Sequence, residues 1–404
     1  MSGKIRVLII DDSALMRQVL QSLLEQDSTL EVVGGAADPI IAWRKIQHLR
    51  PDVLTLDVEM PRMDGLSFLK HLIAEHPLPV VMISSLTELG CDTTFRALEL
   101  GAIDFVTKPR TDIRERMPEM AREIIEKIKS AAAARHYVRL QSKIRHSKAR
   151  IQGRKTLHPG LPMPVPSAAS ASQREIFLEQ KRSHAEAQRS QWAGAGTAEE
   201  AASWFPSSAP PVIAVGASTG GTEAIRQILG GLPADFPGMV IVQHMPPKFT
   251  RAFAERLNAL GPMRVSEAED GGRVLVGHVL IAPGDFHMTL ARDGAGYQVR
   301  LNQEPAVNHH RPSVNILFRS CAQVARGNAL GLLLTGMGED GARGLLEMRQ
   351  AGARTLVQDE ASSVVFGMPK AAIDQGAAEQ VLPLGEIPAA LLSLVHSSTV
   401  LAKQ

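Results

Sequence analysis

The chain has 404 residues, which is long for one ordinary domain and favours two domains with a connector. Apolar residues make up 44% of the chain and aromatic residues 4%, so the composition argues against general disorder and predicts cores rich in Val, Ile, Leu, Ala and Met. The formal net charge of +2 is too small to imply a nucleic-acid partner by itself.

Cysteine usage and the N-terminal segment predict an unexported, cytoplasmic protein. The two cysteines, Cys91 and Cys321, lie in different predicted domains, which argues against a disulfide framework or a metal cluster. The chain runs directly into a short apolar segment from Lys4, without a signal-peptide pattern, and has no apolar span of membrane-crossing length. We therefore expect a soluble protein that does not insert into a membrane.

Short apolar runs alternate with amphipathic segments from the start of the chain to about residue 128. This alternation predicts a parallel sheet flanked by helices over residues 1–128. Apolar residues at helical spacing after Pro109 predict a helix that closes this domain. The predicted strands are residues 7–10, 32–34, 53–56, 80–84 and 103–106.

Charged residues follow three of these strands. Asp11 and Asp12 follow the first, Asp57 the third and Lys108 the fifth, so all four are expected at the carboxyl edge of the sheet. Clustered carboxylates are stable mainly around a hard cation such as Mg²⁺, and such a site suits phosphoryl transfer to a carboxylate, with Asp57 as the acceptor. The plain alternative is that each acid caps a helix.

The segments around these residues resemble a response-regulator receiver domain, and the resemblance covers the entire first domain. It implies a flavodoxin-like fold, a histidine kinase as phosphodonor, and the backbone carbonyl of Glu59 as a Mg²⁺ ligand beside the three aspartates. It also implies that Lys108, Ser84 and Phe105 form the switch, although an ordinary hydroxyl and an ordinary core ring are equally compatible with the sequence alone. The matching segments are residues 10–13, 56–65 and 105–109.

Residues 129–208 are predicted to form a long linker, helical in parts, because the apolar pattern gives way to Ala, Ser, Gln, Arg and Pro. No acid occurs from residue 131 to residue 155. We interpret this basic stretch as a solvated face; an acidic protein, a membrane surface and nucleic acid are the alternative partners. Its basic residues are Arg135, Arg139, Lys143, Arg145, Lys148, Arg150, Arg154 and Lys155.

A second α/β domain is predicted over residues 209–404, where strand-like runs resume. A β-hairpin over residues 288–302, with its turn at residues 293–296, is expected as an insertion. The fold class is therefore α/β, with two doubly wound parallel-sheet domains joined by the linker. The predicted strands of the second domain are residues 212–215, 239–242, 279–282, 330–334 and 355–358.

The first strand of the second domain runs into a glycine turn and then a helix. Residues 216–220 fit the pattern G-x-S-x-G with Ser218 at its centre, which is typical of a nucleophile elbow but is a weak signal. Glycines allow the sharp turn, and a helix start offers N–H groups to a developing negative charge. The glycines could equally cradle a phosphate, although no nucleotide-binding motif occurs at this turn.

A serine nucleophile needs a base and a group that orients the base. His244 and Asp340 follow other predicted strands and are expected at the same sheet edge as Ser218. A structural imidazole and a helix-capping carboxylate are the plain alternatives for these two residues. Three other histidines compete for the role of base: His287, His309 and His310.

Segments across nearly the whole second domain resemble the CheB family of chemotaxis methylesterases. The resemblance implies a Rossmann-like esterase domain in which Ser218 is the nucleophile, His244 the general base and acid, and Asp340 the orienting group. It also implies an oxyanion donor at the Met337 N–H and no cofactor for ester hydrolysis. The matching segments are residues 216–221, 243–246, 310–314, 336–341, 358–360 and 366–369.

The two resemblances together imply a phosphorylation-activated enzyme that hydrolyses glutamate methyl esters on chemoreceptors and deamidates receptor glutamines. The unphosphorylated receiver is expected to cover the triad, and nucleic acid is not expected as a partner. The alternative hypothesis is a receiver that controls a non-catalytic module binding nucleotide or DNA. The connector is longer and more basic than we expect for this family.

Overall fold

The computed structural model describes residues 3–60, 63–84, 88–108, 113–138, 210–294 and 296–399. Most of the predicted linker, residues 139–208, therefore lies outside the described residues. None of the helices within the described ranges combines the length and the apolar character needed to cross a membrane.

The N-terminal domain is built on a five-stranded parallel sheet with the strand order β2-β1-β3-β4-β5. Every residue of β3 and β4 is buried, as expected for parallel strands with helices on both faces. The elements are β1 Ile5–Ile10, α1 Ala14–Leu24, β2 Leu30–Ala36, α2 Pro39–Leu49, β3 Val53–Asp57, α3 Gly65–Glu75, β4 Val80–Ser84, α4 Glu88–Leu100, β5 Asp104–Thr107 and α5 Ile113–Ala133.

Polar caps start three helices of this domain at defined residues. The side chains of Ser13, Asp38 and Asp64 each accept a hydrogen bond from a backbone N–H in the first turn of the following helix. The last helix, α5, extends beyond residue 128, where the sequence predicted the domain to end. Arg135, from the predicted basic linker, forms an ion pair with Asp52 at the start of β3, so this part of the stretch packs on the receiver-like domain.

The C-terminal domain is built on a seven-stranded parallel sheet with the order β15-β14-β13-β6-β7-β10-β8. Its elements are β6 Val212–Ala217, α6 Gly221–Leu229, β7 Met239–Gln243, α7 Phe249–Leu260, β8 Arg264–Glu267, β9 Arg273–Val274, β10 His278–Ile281, β11 His287–Asp293, β12 Gly296–Asn302, α8 Val314–Val324, β13 Ala329–Leu333, α9 Ala342–Gln350, β14 Arg354–Gln358, α10 Met368–Asp374, β15 Gln380–Leu382 and α11 Ile387–Thr399.

The predicted hairpin is present as the antiparallel pair β11 and β12. The short strand β9 adds to β12 and makes a three-stranded sheet, which the sequence did not predict. The strands β8 and β15 at the two edges of the main sheet were also not predicted. In the main sheet the chain starts at the central strand β6. It first adds strands on one side, beginning with β7, and later on the other side, beginning with β13. The strand order therefore reverses between β6 and β13.

Candidate active site

Three loops lie close together at the point where the strand order of the main sheet of the C-terminal domain reverses. Ser218 follows β6, His244 follows β7, and Asp340 lies in the loop between β13 and α9. Loops that leave neighbouring strands in opposite directions open a crevice at the carboxyl edge of such a sheet. The crevice is held by backbone hydrogen bonds, since Ser218 N–H donates to Thr335 O at 3.0 Å and His244 N–H donates to Ala217 O at 3.1 Å.

The turn that carries Ser218 depends on glycines. Gly220 has a φ of 81°, in the left-handed region, and a Cβ there would lie 2.4 Å from the side chain of Val364. A Cβ on Gly336, in the facing loop, would lie 2.7 Å from the Cβ of Ser218. Because both positions lack side chains, the loops approach closely and leave Ser218 half-buried just before α6 begins at Gly221.

His244 and Asp340 form a buried pair. The distance from His244 Nε2 to Asp340 Oδ2 is 2.9 Å, and their side chains are 7% and 1% exposed. A carboxylate only accepts hydrogen bonds, so Nε2 carries the ring proton and Nδ1 carries the lone pair. His244 Nδ1 is buried and has no hydrogen-bond partner within the described chain. It is therefore the ring atom available to take a proton from Ser218 once a substrate brings the hydroxyl into reach.

The carboxylate of Asp340 lies at the N-terminus of α8, where unpaired backbone N–H groups favour an anion. Burial alone would raise the pKa of Asp340, but the hydrogen bond with His244 and the other donors together lower the pKa to about 2. The group is therefore a carboxylate at neutral pH. The other donors are Ser313 Oγ at 2.8 Å, Val314 N–H at 2.7 Å, Asn315 N–H at 3.3 Å and Asn308 Nδ2 at 3.3 Å.

The competing histidines have other contacts. His287 is fully buried, and its Nδ1 accepts a hydrogen bond from Ser313 N–H at 3.2 Å while Nε2 lies 3.1 Å from a backbone carbonyl, which makes it a structural residue. His309 Nδ1 lies 3.1 Å from Arg122 Nη1 of α5. His310 stacks on the imidazole of the buried pair. Neither of the ring nitrogens of His287 is available for proton transfer.

The backbone at Met337 is presented beside the serine. Gly336, just before it, donates its N–H to Val365 O at 3.1 Å, and its carbonyl accepts N–H groups from Gly367 at 3.0 Å and Met368 at 2.8 Å. These bonds fix Gly336 and the carbonyl of the Gly336–Met337 peptide. Within the described ranges, the Met337 N–H has no backbone acceptor. It is therefore available to bind a negatively charged oxygen.

Gln243 is a site residue that sequence reasoning missed. Its buried Nε2 donates to the carbonyl oxygen of Ser218 at 3.0 Å and to that of His244 at 3.2 Å, so one amide ties together the backbone of both residues. The available signal was its place as the last residue of β7, directly before His244.

Replacing Gln243 with leucine is expected to lower kcat for ester hydrolysis about 10- to 100-fold while KM changes little, because displacement of reacting groups by about 1 Å costs up to about 100-fold. Asn328→Ala is a suitable control, since Asn328 is also buried and its amide donates to Tyr297 Oη away from the crevice. Steady-state kinetics and urea unfolding of both variants check the prediction. Equal losses of kcat in both would contradict a role for Gln243 at the site.

A second cluster lies at the carboxyl edge of the N-terminal sheet. One carboxylate oxygen from each of Asp11, Asp12 and Asp57 lies within 4.8 Å of the others. Lys108 Nζ is 2.6 Å from Asp57 Oδ2 and 3.7 Å from Asp11 Oδ2. Asp11 Oδ2 is buried and has no hydrogen bond in the described part of the chain, so it is left for a cation. Three carboxylates around one lysine fit a hard divalent cation such as Mg²⁺.

Burial raises the pKa of Asp57 to about 6, although Lys108 opposes this effect. Glu59 is exposed and donates its N–H to Asp57 Oδ1 at 3.3 Å, which brings its backbone to the cluster. Ser84, at the end of β4, is buried and accepts a hydrogen bond from Thr94 Oγ1 at 2.6 Å. The three aspartates and Lys108 are thus brought together, and Ser84 contacts Thr94 of α4.

Aromatic rings join the two domains. Phe105 of β5 is buried with its ring centroid 4.4 Å from that of Phe249 in α7. Phe95 of α4 stacks on Phe253 with centroids 5.7 Å apart. The Phe105 ring therefore belongs to the contact between the domains and not to the core of the N-terminal domain alone.

Polar groups extend this contact to the crevice. Thr219 Oγ1, on the residue after Ser218, donates to Asp104 Oδ2 of β5 at 2.6 Å in a buried hydrogen bond. Arg256 of α7 pairs with Glu99 of α4. Together with the Arg122–His309 contact, these pairs connect β5, α4 and α5 with the C-terminal domain.

Comparisons with known proteins identify a family match for each of the two domains. Residues 7–118 match the family described as response regulator receiver domain, and residues 213–391 match the family described as CheB methylesterase. A protein-glutamate methylesterase/protein-glutamine glutaminase of Geobacter metallireducens is 49% identical over 393 residues, which cover 97% of this chain and 96% of that protein. A protein of the same name from Rhizobium johnstonii is 50% identical over 387 residues, with 96% and 97% covered.

Among solved structures, the catalytic domain of the Thermotoga maritima CheB methylesterase is 39% identical, covers 46% of this chain and 98% of that chain, and has a TM-score of 0.45. The names of the full-length relatives support the esterase hypothesis and give no support to a nucleotide- or DNA-binding output.

Proposed function

The chain belongs to the family of protein-glutamate methylesterases with an N-terminal receiver domain, and we propose that it demethylates esterified glutamates of chemoreceptors and deamidates receptor glutamines when phosphorylated. The observation that carries the proposal is the buried His244–Asp340 hydrogen bond beside Ser218. An esterase joined to a receiver serves adaptation in chemotaxis-type signalling. The protein acts in the cytoplasm, where kinase and receptor signalling domains meet it.

Hydrolysis begins when Ser218 Oγ attacks the carbonyl carbon of the methyl ester. His244 Nδ1 takes the hydroxyl proton, and Asp340 stabilises the imidazolium through Nε2. The imidazolium then gives the proton to the methoxy oxygen, the bond between the acyl carbon and that oxygen breaks, and methanol leaves. A glutamyl ester of Ser218 remains.

Deacylation repeats the proton transfers with water as the nucleophile. His244 Nδ1 takes a proton from water as the water oxygen bonds to the acyl carbon, and the proton then passes to Ser218 Oγ as its ester bond breaks. The products are the receptor glutamate and the free serine. With a glutamine substrate the first leaving group is ammonia.

Each addition step places negative charge on the former carbonyl oxygen. The Met337 N–H is the proposed donor to this oxygen, and a donor of this kind contributes about 100- to 1,000-fold in rate. Two observations support this role of the Met337 N–H: the loop lies beside Ser218, and hydrogen bonds hold the loop at Gly336.

Phosphorylation takes place at the acidic cluster. Asp11, Asp12, Asp57 and the Glu59 carbonyl would hold Mg²⁺, which when bound offsets charge on the phosphoryl oxygens. A carboxylate oxygen of Asp57 bonds to the phosphorus of a phosphohistidine on a chemotaxis-type histidine kinase as the phosphorus–nitrogen bond breaks. Lys108, whose Nζ is 2.6 Å from Asp57 Oδ2, would lie beside the new phosphate.

Phosphorylation reaches the esterase through the contact between the domains. Binding of the phosphate would draw Ser84 away from Thr94 and allow Phe105 to change rotamer, which disturbs its contact with Phe249. The Thr219–Asp104 hydrogen bond would then be released next to the nucleophile. The domains shift toward an arrangement in which a receptor helix reaches the crevice.

We predict that the intact chain releases methanol from methylated receptor about 10- to 100-fold faster with Mg²⁺ and a small-molecule phosphodonor than without the donor, because an accessible minor state is populated at about 1–10%. Asp57→Asn should remain at the basal rate, because it offers no carboxylate for phosphorylation. Methanol release by both proteins, with and without donor, checks the prediction. An intact chain that is equally fast without phosphate would show that the receiver does not gate the site.

The Glu99–Arg256 ion pair provides a control that needs no phosphate. Both side chains are partly exposed, so Glu99→Arg or Arg256→Glu alone should raise the basal rate only about 2- to 5-fold. The double exchange should restore the basal rate, because it rebuilds the pair with the charges reversed. Additive increases in the double variant would argue against this docking contact.

A further inference from the structure

A tight turn over residues 307–310 lies against the buried pair. Val307 N–H donates to His310 O at 3.1 Å, and His310 N–H donates to Val307 O at 2.9 Å. The two residues between them, Asn308 and His309, have φ values of 50° and 65°. Positive φ at both central positions is the requirement of a type I′ turn, and non-glycine residues adopt it at a cost that surrounding contacts must offset.

The turn directs three side chains to fixed places. Asn308 Nδ2 lies 3.3 Å from Asp340 Oδ1, and His309 contacts Arg122 of α5. The third side chain, His310, stacks on His244 with ring centroids 3.7 Å apart and planes inclined by 22°. The turn therefore contacts both members of the buried pair.

The two contacts of His244 restrain its ring in different ways. The hydrogen bond with Asp340 holds one edge of the ring but leaves rotation about that bond as a soft motion. Such a rotation would carry Nδ1 away from the hydroxyl of Ser218. A flat ring packed against the face of the imidazole opposes this rotation, because the turning edge of the imidazole would enter the volume that the second ring fills.

His310 also remains uncharged while His244 works. Burial, together with the charge that His244 can carry, lowers the pKa of His310 to about 3. An uncharged ring does not repel the imidazolium that forms during turnover, whereas a second imidazolium would. The other ionisable groups near the two stacked imidazoles are Asp340, His309, Glu126 and Lys127.

We propose that His310 is a positioning residue that holds the ring plane of His244 by face-to-face contact, so that Nδ1 stays aimed at Ser218; the proposal rests on the esterase function. His310 is not an alternative base, since no carboxylate of the described residues hydrogen-bonds to it, whereas Asp340 bonds to His244. The proposal assigns the effect to the flat face of the side chain and not to its nitrogens.

The test compares His310→Phe, which keeps a flat ring, with His310→Leu, which keeps apolar volume without one. Both are made in the intact chain and assayed for methanol release with Mg²⁺ and phosphodonor. The phenylalanine variant should retain kcat within about 3-fold, and the leucine variant should lose about 10- to 100-fold with little change in KM.

Equal kcat in the leucine variant and the wild type would overturn the proposal, and so would a phenylalanine variant as slow as the leucine variant. Urea unfolding of both variants shows whether a low rate comes from an unfolded protein or from a displaced His244 ring. If the phenylalanine variant is folded and slow, the proposal is overturned, even if the leucine variant is unfolded. Labelling of Ser218 by a fluorophosphonate distinguishes failure of the positioning role from failure of the esterase function. A wild-type chain that is neither labelled nor active would reject the esterase function, and the positioning role with it.

Discussion

Replacing Ser218 with alanine is expected to lower methanol release by about 10⁴-fold or more, since removal of the nucleophile leaves only the slower direct attack of water in a preorganised site. Ser218 is half-buried and its hydroxyl forms no hydrogen bond within the described residues, so loss of the hydroxyl breaks no hydrogen bond of the fold. The variant should therefore unfold at the same urea concentration as the wild type. Methanol release under phosphorylating conditions checks the rate.

A fluorophosphonate probe tests the same residue directly, because it bonds covalently to an activated serine. Labelling should be present in the wild type, absent in Ser218→Ala, and unchanged in Ser266→Ala, which alters an exposed serine of the edge strand β8. Retention of more than about 1% of the wild-type rate by Ser218→Ala would show that another group is the nucleophile.

The parts of the structure that could be predicted are those determined by local sequence. Central strands such as β3, β6 and β7 are continuous apolar runs, because a parallel strand is covered on both faces. Polar residues directly after such runs must lie at the carboxyl edge of the sheet. That rule alone brought Ser218 and His244 to one crevice and the three aspartates to another.

The strands that were missed lie at edges. β8 has the sequence Arg-Val-Ser-Glu, β9 has only two residues, and β15 has three, so none contains an apolar run long enough to be recognised. Edge strands are stabilised by one neighbour and carry polar residues that discourage further pairing. Their existence depends on the strand beside them and cannot be deduced from their own sequence.

The contacts that were missed at the site join residues far apart in the chain. The donors from Ser313 and Val314 reach Asp340 only because the start of α8 faces the loop after β13. The Thr219–Asp104 bond depends on how the two domains dock. Sequence patterns indicate which side chains reach a sheet edge, but the partners of those side chains are set by packing. The bond to Asp340 distinguishes His244 from the other histidines, and this contact could not be deduced from the sequence.

Replacing Asp340 with asparagine is expected to lower kcat about 10³- to 10⁴-fold, because the neutral amide cannot stabilise the imidazolium and no longer accepts hydrogen bonds from all sides. The five groups that donate to the carboxylate would leave at least one donor facing the new NH₂ group. Asp374→Asn, an exposed carboxylate paired with Lys370, is the control and should retain the wild-type rate.

The same substitution should change how stability depends on pH. Folding lowers the pKa of Asp340 from 3.8 to about 2, so the carboxylate contributes stability that is fully present above about pH 4 and is lost as the pH falls through about 2. Asp340→Asn lacks this contribution. The difference in free energy of unfolding between the wild type and this variant should therefore become smaller as the pH falls from about 4 to about 2. Urea unfolding at pH 7, 4 and 2.5 measures it. A difference that stays constant over this range would mean that the ionised carboxylate does not stabilise the fold, and its bond to His244 would then have to be explained by catalysis alone.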